Sequence, residues 1–296
     1  MAVIIRLNGG LGNQLFQYAA GRAVSIRTGM HLKLDVVSGF KYDFDYRRKY
    51  LLDNYNIKAA TASGVESLNF PGSRTFRRIL RAVNQLLPSQ LRFYLFEKGF
   101  DEPHQRFDSR VINVSARPTM FMEGNWQSEK YFSDVSGEIR NDLAMVTSSN
   151  APLCREAVVI KDCPAVAVGV RSYAEVPEHG RHFHEPIAAT YYARAFDLVL
   201  KRMPMARFFV FTDNPAWALN VIPKHYKVDV VESRPYEKTP EKLWLMTLCK
   251  HFIISNSSFD WWGAWLSDNP DKVVIAPAGR TNNKDMIPER WVCLDA

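Results

Sequence analysis

Ala165-Val166-Ala167-Val168-Gly169-Val170-Arg171-Ser172-Tyr173-Ala174-Glu175 is the stretch that decides the architecture. Six small or β-branched residues in a row predict a strand buried on both faces, as in the middle of a parallel sheet. Arg171 then stands at the carboxyl end of that strand. Ligands of open α/β sheets bind in the crevice outside those ends, so an arginine there is a candidate for gripping phosphate or carboxylate. Taken alone, the stretch also fits a surface arginine at a sheet margin.

Downstream the rhythm is regular. Strands are expected over residues 207–212, 228–231, 252–254 and 273–276, with helices over 188–202, 215–221, 239–249 and 257–266 between them. Such alternation predicts a parallel, doubly wound sheet. Thr239-Pro240 suits a helix start, because threonine caps and proline fits the first turn.

Upstream, a strand over 3–7 runs into Asn8-Gly9-Gly10-Leu11-Gly12-Asn13-Gln14, and apolar residues then recur at helical spacing from Leu15 to Val24. Glycines there let the backbone turn tightly and let a ligand approach a helix N-terminus. The spacing is neither GxGxxG nor a P-loop, so a nucleotide-type loop and a plain tight turn both remain open. A second strand over 32–37 completes a βαβ start, and a further strand over 118–123 leads to Gly124-Asn125-Trp126-Gln127 and a helix from 128 towards 142. The polar segment 148–164 reads as a linker. A boundary is therefore expected near residue 150, with a βαβ start before it and a parallel, doubly wound sheet after it.

The 296 residues are 47% apolar, enough for a proper core, and the net charge of +7 favours an anionic partner. Cys154, Cys163, Cys249 and Cys293 form no CxxC pair, which argues against a metal cluster and a disulfide framework. The opening MAVIIRLNGG fits neither a signal peptide nor a membrane span, and a cytoplasmic protein is expected. Residues 74–87 read as a basic amphipathic helix, with Phe76, Ile79, Leu80, Val83 and Leu87 on one face and four arginines on the rest. It fits an outer helix with a solvated arginine face, or one docked peripherally on the inner face of an anionic membrane. Asp43-Phe44-Asp45 has the DxD form used to hold a divalent ion, but it lies in a polar loop and reads as solvated. His182-Phe183-His184 lacks a partner at ligand spacing, so no metal site is expected. Nucleic-acid binding is suggested by charge alone and has no motif behind it.

Three strand ends in the second half carry polar residues: Arg171 with Ser172, Thr212 with Asp213, and Ser255-Asn256-Ser257-Ser258. If those strands are neighbours, a cation, a carboxylate and a row of hydroxyls line one crevice suited to a nucleoside diphosphate. Asn256 and Ser257 could be simple helix caps, but four polar residues before Phe259 exceed what a cap needs. The tryptophans at 261, 262 and 265 read as packing.

Asn8-Gly-Gly-Leu-Gly-Asn-Gln-Leu-Phe-Gln-Tyr18, Gly124-Asn-Trp-Gln-Ser-Glu-Lys-Tyr-Phe132, Phe209-Val-Phe-Thr-Asp213 and Ser255-Asn-Ser-Ser-Phe-Asp-Trp-Trp-Gly-Ala-Trp-Leu266 together resemble the alpha-1,2-fucosyltransferases of glycosyltransferase family 11. The matches fall in order along nearly the whole chain. The resemblance implies a GT-B-like fold of two Rossmann-type domains with mainly parallel doubly wound sheets, residues 1–150 and 151–296, and an inverting transferase that moves L-fucose from GDP-fucose to a galactose hydroxyl of an oligosaccharide or lipid-linked glycan, with no metal or other cofactor. It implies that GDP-fucose sits mainly on the C-terminal domain. It assigns Asn13 to the fucose and acceptor side, Gly10 to close backbone approach, and Asp213 to the guanosine pocket. Asn256, Ser257, Ser258 and Phe259 it assigns to the diphosphate.

The chain departs from the family where relatives have His-x-Arg-Arg-x-Asp-Tyr. Gly169, Ser172 and Ala174 replace the histidine, second arginine and aspartate, and Arg171 remains. Glu175 lies one place along and is the expected replacement carboxylate, while His184 keeps the family's spacing to Tyr191-Tyr192. Arg6, Arg181 or Arg280 could supply a second cation. Glu175, His184 or Asp260, a serine in many relatives, could serve as general base. Two alternatives follow from the departure: a different GDP-deoxyhexose donor, or a degenerate GDP- or glycan-binding protein.

Overall fold

The computed structural model describes residues 1–44, 46–88, 91–99, 105–146, 155–174, 185–231, 239–281 and 283–296. The chain forms two compact units, Met1–Val146 with Asn283–Met286, and Thr147–Asn282 with Ile287–Ala296. Each is an α/β layer structure around its own parallel sheet.

In the N-terminal unit β1 (Ala2–Arg6) is flanked by β2 (His31–Asp35) and β5 (Thr119–Glu123), and β3 (Ala60–Thr61) and β4 (Tyr94–Phe96) complete the order β3-β2-β1-β5-β4. All four pairings are parallel. Helix α1 (Leu11–Thr28) crosses this sheet with most of its length buried. Gly21 lets it approach closely, since a Cβ there would meet Ile5 and Leu32 methyls at 3.1 Å. The helix stops at Gly29, whose left-handed φ of 68° provides the usual C-terminal cap. Where a helix is expected from 128, two 3₁₀ turns come first and α3 covers only Ser136–Asp142. Tyr131 and Phe132 explain this, because both are fully buried and the Tyr131 hydroxyl is tied to Glu97.

Helix α2 (Ser73–Leu86) corrects the solvated-arginine expectation for Arg77 and Arg81, while Arg74 and Arg78 are exposed as expected. Its inward side is polar: Ser73, Arg77 and Asn84 are buried, while Phe76, Ile79, Val83 and Leu86 face out. The carboxylates at the strand ends dictate this orientation. Asp35 and Glu123 are nearly inaccessible, and buried carboxylates need cations and donors. Arg77 Nη2 reaches Asp35 Oδ2 (3.1 Å) and Ser38 Oγ (2.8 Å), while Arg81 and Arg6 pair with the two oxygens of Glu123. Burial opposes ionisation of Glu123, yet these guanidiniums hold its carboxyl below the usual range. Asn84 completes the clamp by bonding the backbone of β4 at Phe93 and Tyr94.

In the C-terminal unit β6 (Ala165–Val170) is buried at every residue, as its composition requires. The sheet order is β11-β10-β9-β6-β7-β8, with β7 at Arg207–Thr212, β8 at Val228–Val230, β9 at His251–Ile253, β10 at Val274–Ala278 and β11 at Val292–Asp295. Every pairing is parallel. The connecting helices are α5 (Ala189–Arg202), α6 (Pro215–Val221), α7 (Thr239–Thr247) and α8 (Ser258–Leu266). Part of the expected linker is structured: α4 (Arg155–Lys161) buries Ala157 and Ile160. Trp261, Trp262 and Trp265 are buried on α8, with Trp261 stacked on Trp265 and Trp262 edge-on to both, so they are packing residues.

Candidate active site

Strands β6, β7 and β8 run outward in one direction, and β9 returns to pair with the other side of β6. The β6/β9 boundary is the switch point of the sheet, where the loops diverge and leave a crevice. The three polar clusters singled out in the sequence follow three adjacent strands, since Val170 pairs with Thr212 and Val168 with Ile253.

Arg171 leaves β6 with Nη1 3.4 Å from Asp213 Oδ2 and its guanidinium 5.2 Å from the Tyr173 ring centroid. Asp213 also accepts from Ser172 N (2.9 Å), Ser172 Oγ (3.1 Å) and Tyr173 N (3.2 Å). Burial acts to raise its pKa, but Arg171 and the Ser172 N–H outweigh it and keep the carboxyl below the usual range. Asp213 therefore orients the loop that presents Arg171. Tyr173 adopts a left-handed φ of 53°, which aims its hydroxyl at Asn256 Oδ1, 2.8 Å away. Asn256 in turn donates to the Glu185 carbonyl at 3.3 Å. The loops after β6 and β9 are thus tied across the switch point.

Ser257 caps α8, its Oγ accepting from Phe259 N at 3.2 Å. Asn256, Ser257, Ser258 and Phe259 are half-exposed at this helix start, and the N-terminus of a helix favours an anion. Beneath them lies Asp260, 2% exposed, its Oδ2 accepting from Ser255 N (3.1 Å) and Ser255 Oγ (2.5 Å). The carboxylate fills the space beside Gly169, where any Cβ would stand 2.0 Å from Oδ2. Burial pushes the Asp260 pKa up to about 6, and the Ser255 donors offset part of that. So enclosed, Asp260 does not present itself to a substrate, which removes it from the general-base candidates.

Glu175, Arg181, His182 and His184 lie outside the described residues, as does Asp45 of the DxD. Asp43 caps its own turn, accepting from Tyr46 N (3.1 Å) and Arg48 N (3.0 Å). Arg6 is committed to Glu123 and Ser38 in the N-terminal unit, and Arg280 Nη1 donates to Glu185 Oε2 at 2.8 Å. A cation the sequence reading passed over is Lys242 on α7, whose Nζ donates to the Thr212 carbonyl at 2.8 Å beside Asp213. A lysine in the first turn of a helix carries no signal that separates it from a solvated one.

The N-terminal unit repeats the arrangement. Its switch point lies between β1 and β5, and the loops after those strands meet there. Gln127 Nε2 donates to Asn13 Oδ1 (2.9 Å), and Gln17 ties Asn8 N (3.0 Å) to the Gly124 carbonyl (3.2 Å). Gln14 fastens the Gly9 carbonyl to the segment at Lys49 and Leu51. Gly10 stands at the start of α1, where a Cβ would meet the Arg48 guanidinium at 2.7 Å. The second loop rests on buried Glu97, which accepts from Asn125 N (2.7 Å) and Trp126 N (2.8 Å). The two fully buried glutamines are therefore fasteners, and Asn13 is the half-exposed polar residue they leave at the loop.

The profile of glycosyl transferase family 11 matches residues 2–292. The chain belongs to this family. The family 11 chain is 31% identical over 306 residues to an alpha-1,2-colitosyltransferase of Escherichia coli, with 99% of each sequence covered. It is 25% identical over 315 residues to the O-antigen biosynthesis glycosyltransferase WbnK of Escherichia coli, covering 97% of this chain and 99% of WbnK. Among solved structures it is similar to Arabidopsis thaliana FUT1 in complex with GDP, with a TM-score of 0.50, 13% identity, and coverage of 95% of this chain and 71% of FUT1. Family 11 membership makes the chain a glycosyltransferase, and its two parallel α/β sheets are those of a GT-B-type fold.

Proposed function

We propose that this chain transfers L-fucose from GDP-fucose to a galactose hydroxyl of a glycan, forming an alpha-1,2 linkage with inversion and without a metal ion. The observation that carries the reading is the convergence of Arg171 with the half-exposed start of α8 at the β6/β9 switch point of a family 11 chain. Cleavage of the sugar–phosphate bond leaves negative charge on the β-phosphate. Arg171 and the hydroxyl and N–H groups of Ser257 and Ser258 are the donors assigned to that charge, with Asn256 and Phe259 beside them and Gly10 allowing close backbone approach. Asp213 and Asn256 hold the donor-side loops, Asn13 is assigned to the acceptor side, and Glu175 to the general base. The acceptor is a galactose-containing oligosaccharide or lipid-linked glycan. We place the enzyme in the cytoplasm, in peripheral contact with the membrane through residues 74–87; among the described residues no helix is long and apolar enough to cross one.

A second reading keeps every role and changes the donor to the GDP-linked form of colitose, which is L-fucose lacking the 3-hydroxyl. The similarity over full length to a colitosyltransferase favours it, as do Gly169, Ser172 and Ala174 in place of the usual residues. Incubation with each GDP-sugar and a β-galactoside in EDTA is expected to release GDP and yield a product of the corresponding mass. No product from either donor across a panel of galactosides would contradict the transferase assignment, and preference for one donor decides between the readings.

A further inference from the structure

Helix α2 carries a surface that plays no part in the transfer chemistry and that specifies the membrane contact proposed for residues 74–87. Phe76, Ile79, Val83 and Leu86 recur at spacings of three and four and so form one stripe. That stripe points to solvent, with Ile79 54% and Leu86 86% exposed. Phe70, also exposed, packs against Phe76 with ring centroids 5.3 Å apart and planes tilted by 60°, and widens the stripe.

Turning the helix over would bury these side chains and solvate its arginines, which is the usual arrangement. The fold forbids that rotation. Arg77 is held by Asp35 and Ser38, Arg81 by Glu123, and Asn84 by the backbone of β4. The apolar stripe is thus a fixed outward feature of the unit.

Charge identifies what the stripe faces. Between Glu66 and Glu97 the sequence has five arginines and neither aspartate nor glutamate. Arg74 and Arg78 are exposed beside the stripe, and the Arg74 guanidinium sits 4.5 Å from the Tyr42 ring centroid, itself exposed. A second copy meeting this face across a twofold axis would add its own Arg74 and Arg78 to a segment with no acidic residue between Glu66 and Glu97 to pair with them, and like charges repel. An anionic bilayer instead takes the apolar side chains below its headgroups and pairs the arginines with lipid phosphates. We propose that α2 lies flat on anionic phospholipid, apolar stripe down, and docks the N-terminal unit on a membrane surface.

This inference rests on the membrane contact of the proposed reading but on none of its transfer chemistry, and is read by lipid binding alone. Flotation of the full chain with phosphatidylcholine vesicles, with and without a third of phosphatidylglycerol, supplies the test. The protein is expected to float with the anionic vesicles, about tenfold less with phosphatidylcholine alone, and to be released by high salt. The double variant Ile79→Glu and Leu86→Glu is expected to stay unbound while keeping its thermal melting and GDP affinity. Arg74→Glu with Arg78→Glu, which leaves the stripe intact, is expected to weaken binding to the same degree. The proposal is overturned if the wild-type chain does not float, if both double variants float as well as it does, or if sedimentation shows a dimer that Ile79→Glu and Leu86→Glu dissociates.

Discussion

Arg171→Ala is expected to lower kcat for sugar transfer by about a hundredfold or more, corresponding to roughly 2–4 kcal/mol of lost charge stabilisation at the departing phosphate. The loss should fall mainly on kcat, because the negative charge that Arg171 meets grows as the sugar leaves. Arg171→Lys is expected to recover only part of the rate, since an ammonium on a flexible stem cannot hold phosphate oxygens in two places at once. Thermal melting of Arg171→Ala should stay close to that of the wild type, as the guanidinium is part-exposed and Asp213 keeps its three donors from Ser172 and Tyr173. A variant that transfers at the wild-type rate would place the donor phosphates elsewhere.

Gly169→Ala is expected to destabilise the C-terminal unit by about 1–3 kcal/mol, as overpacking of a rigid core does. The added Cβ would lie 2.0 Å from Asp260 Oδ2 and 2.3 Å from Cγ. Neither side can yield. The strand is buried at every residue and the Tyr192 hydroxyl holds the Gly169 carbonyl at 3.0 Å, while Asp260 is fixed by Ser255. Adding Asp260→Ala removes the overlapping γ-carbon and carboxylate oxygens, so the double variant should be more stable than the sum of the two single changes by about 1–3 kcal/mol. Strict additivity in a double-mutant cycle read by thermal unfolding would contradict the pairing. The same site has a pH signature. With its pKa raised from 3.8 to about 6, folded Asp260 holds its proton more tightly than the unfolded chain does. Its contribution is present below the unfolded value and is lost as pH rises through the folded one. Asp260→Asn keeps the shape without the charge, so its stability relative to the wild type should climb from about pH 4 to about pH 7; a flat difference would show that Asp260 ionises normally.

The C-terminal unit was legible because its central strands are buried on both faces and its helices are bounded by caps and prolines. Strands β6 and β7 fall where composition puts them, and the three polar clusters follow from parallel order alone. Shorter elements gave no period to read: β4 has three residues, and β11 alternates half-buried and exposed positions at a sheet edge. Helix α2 shows a deeper limit. Periodicity says which side chains share a face, and only the partners across the interface say which face turns inward. Asp35 and Glu123, at the ends of strands already recognised, were the signal that arginines would be drawn in. Asp260 shows the same limit at the site. In sequence it is a carboxylate in the first turn of a helix, and only the adjacency of β6 and β9 reveals that it occupies the volume Gly169 leaves open. Gly169 and Asp260, far apart along the chain, are neighbours in space.

The most direct test of where this chain holds its donor is amide hydrogen exchange with and without saturating GDP. Exchange is expected to slow at residues 169–174, 212–214 and 255–259, the three loops around the β6/β9 switch point. Protection confined to the N-terminal unit, or none at any of the three loops, would contradict that placement.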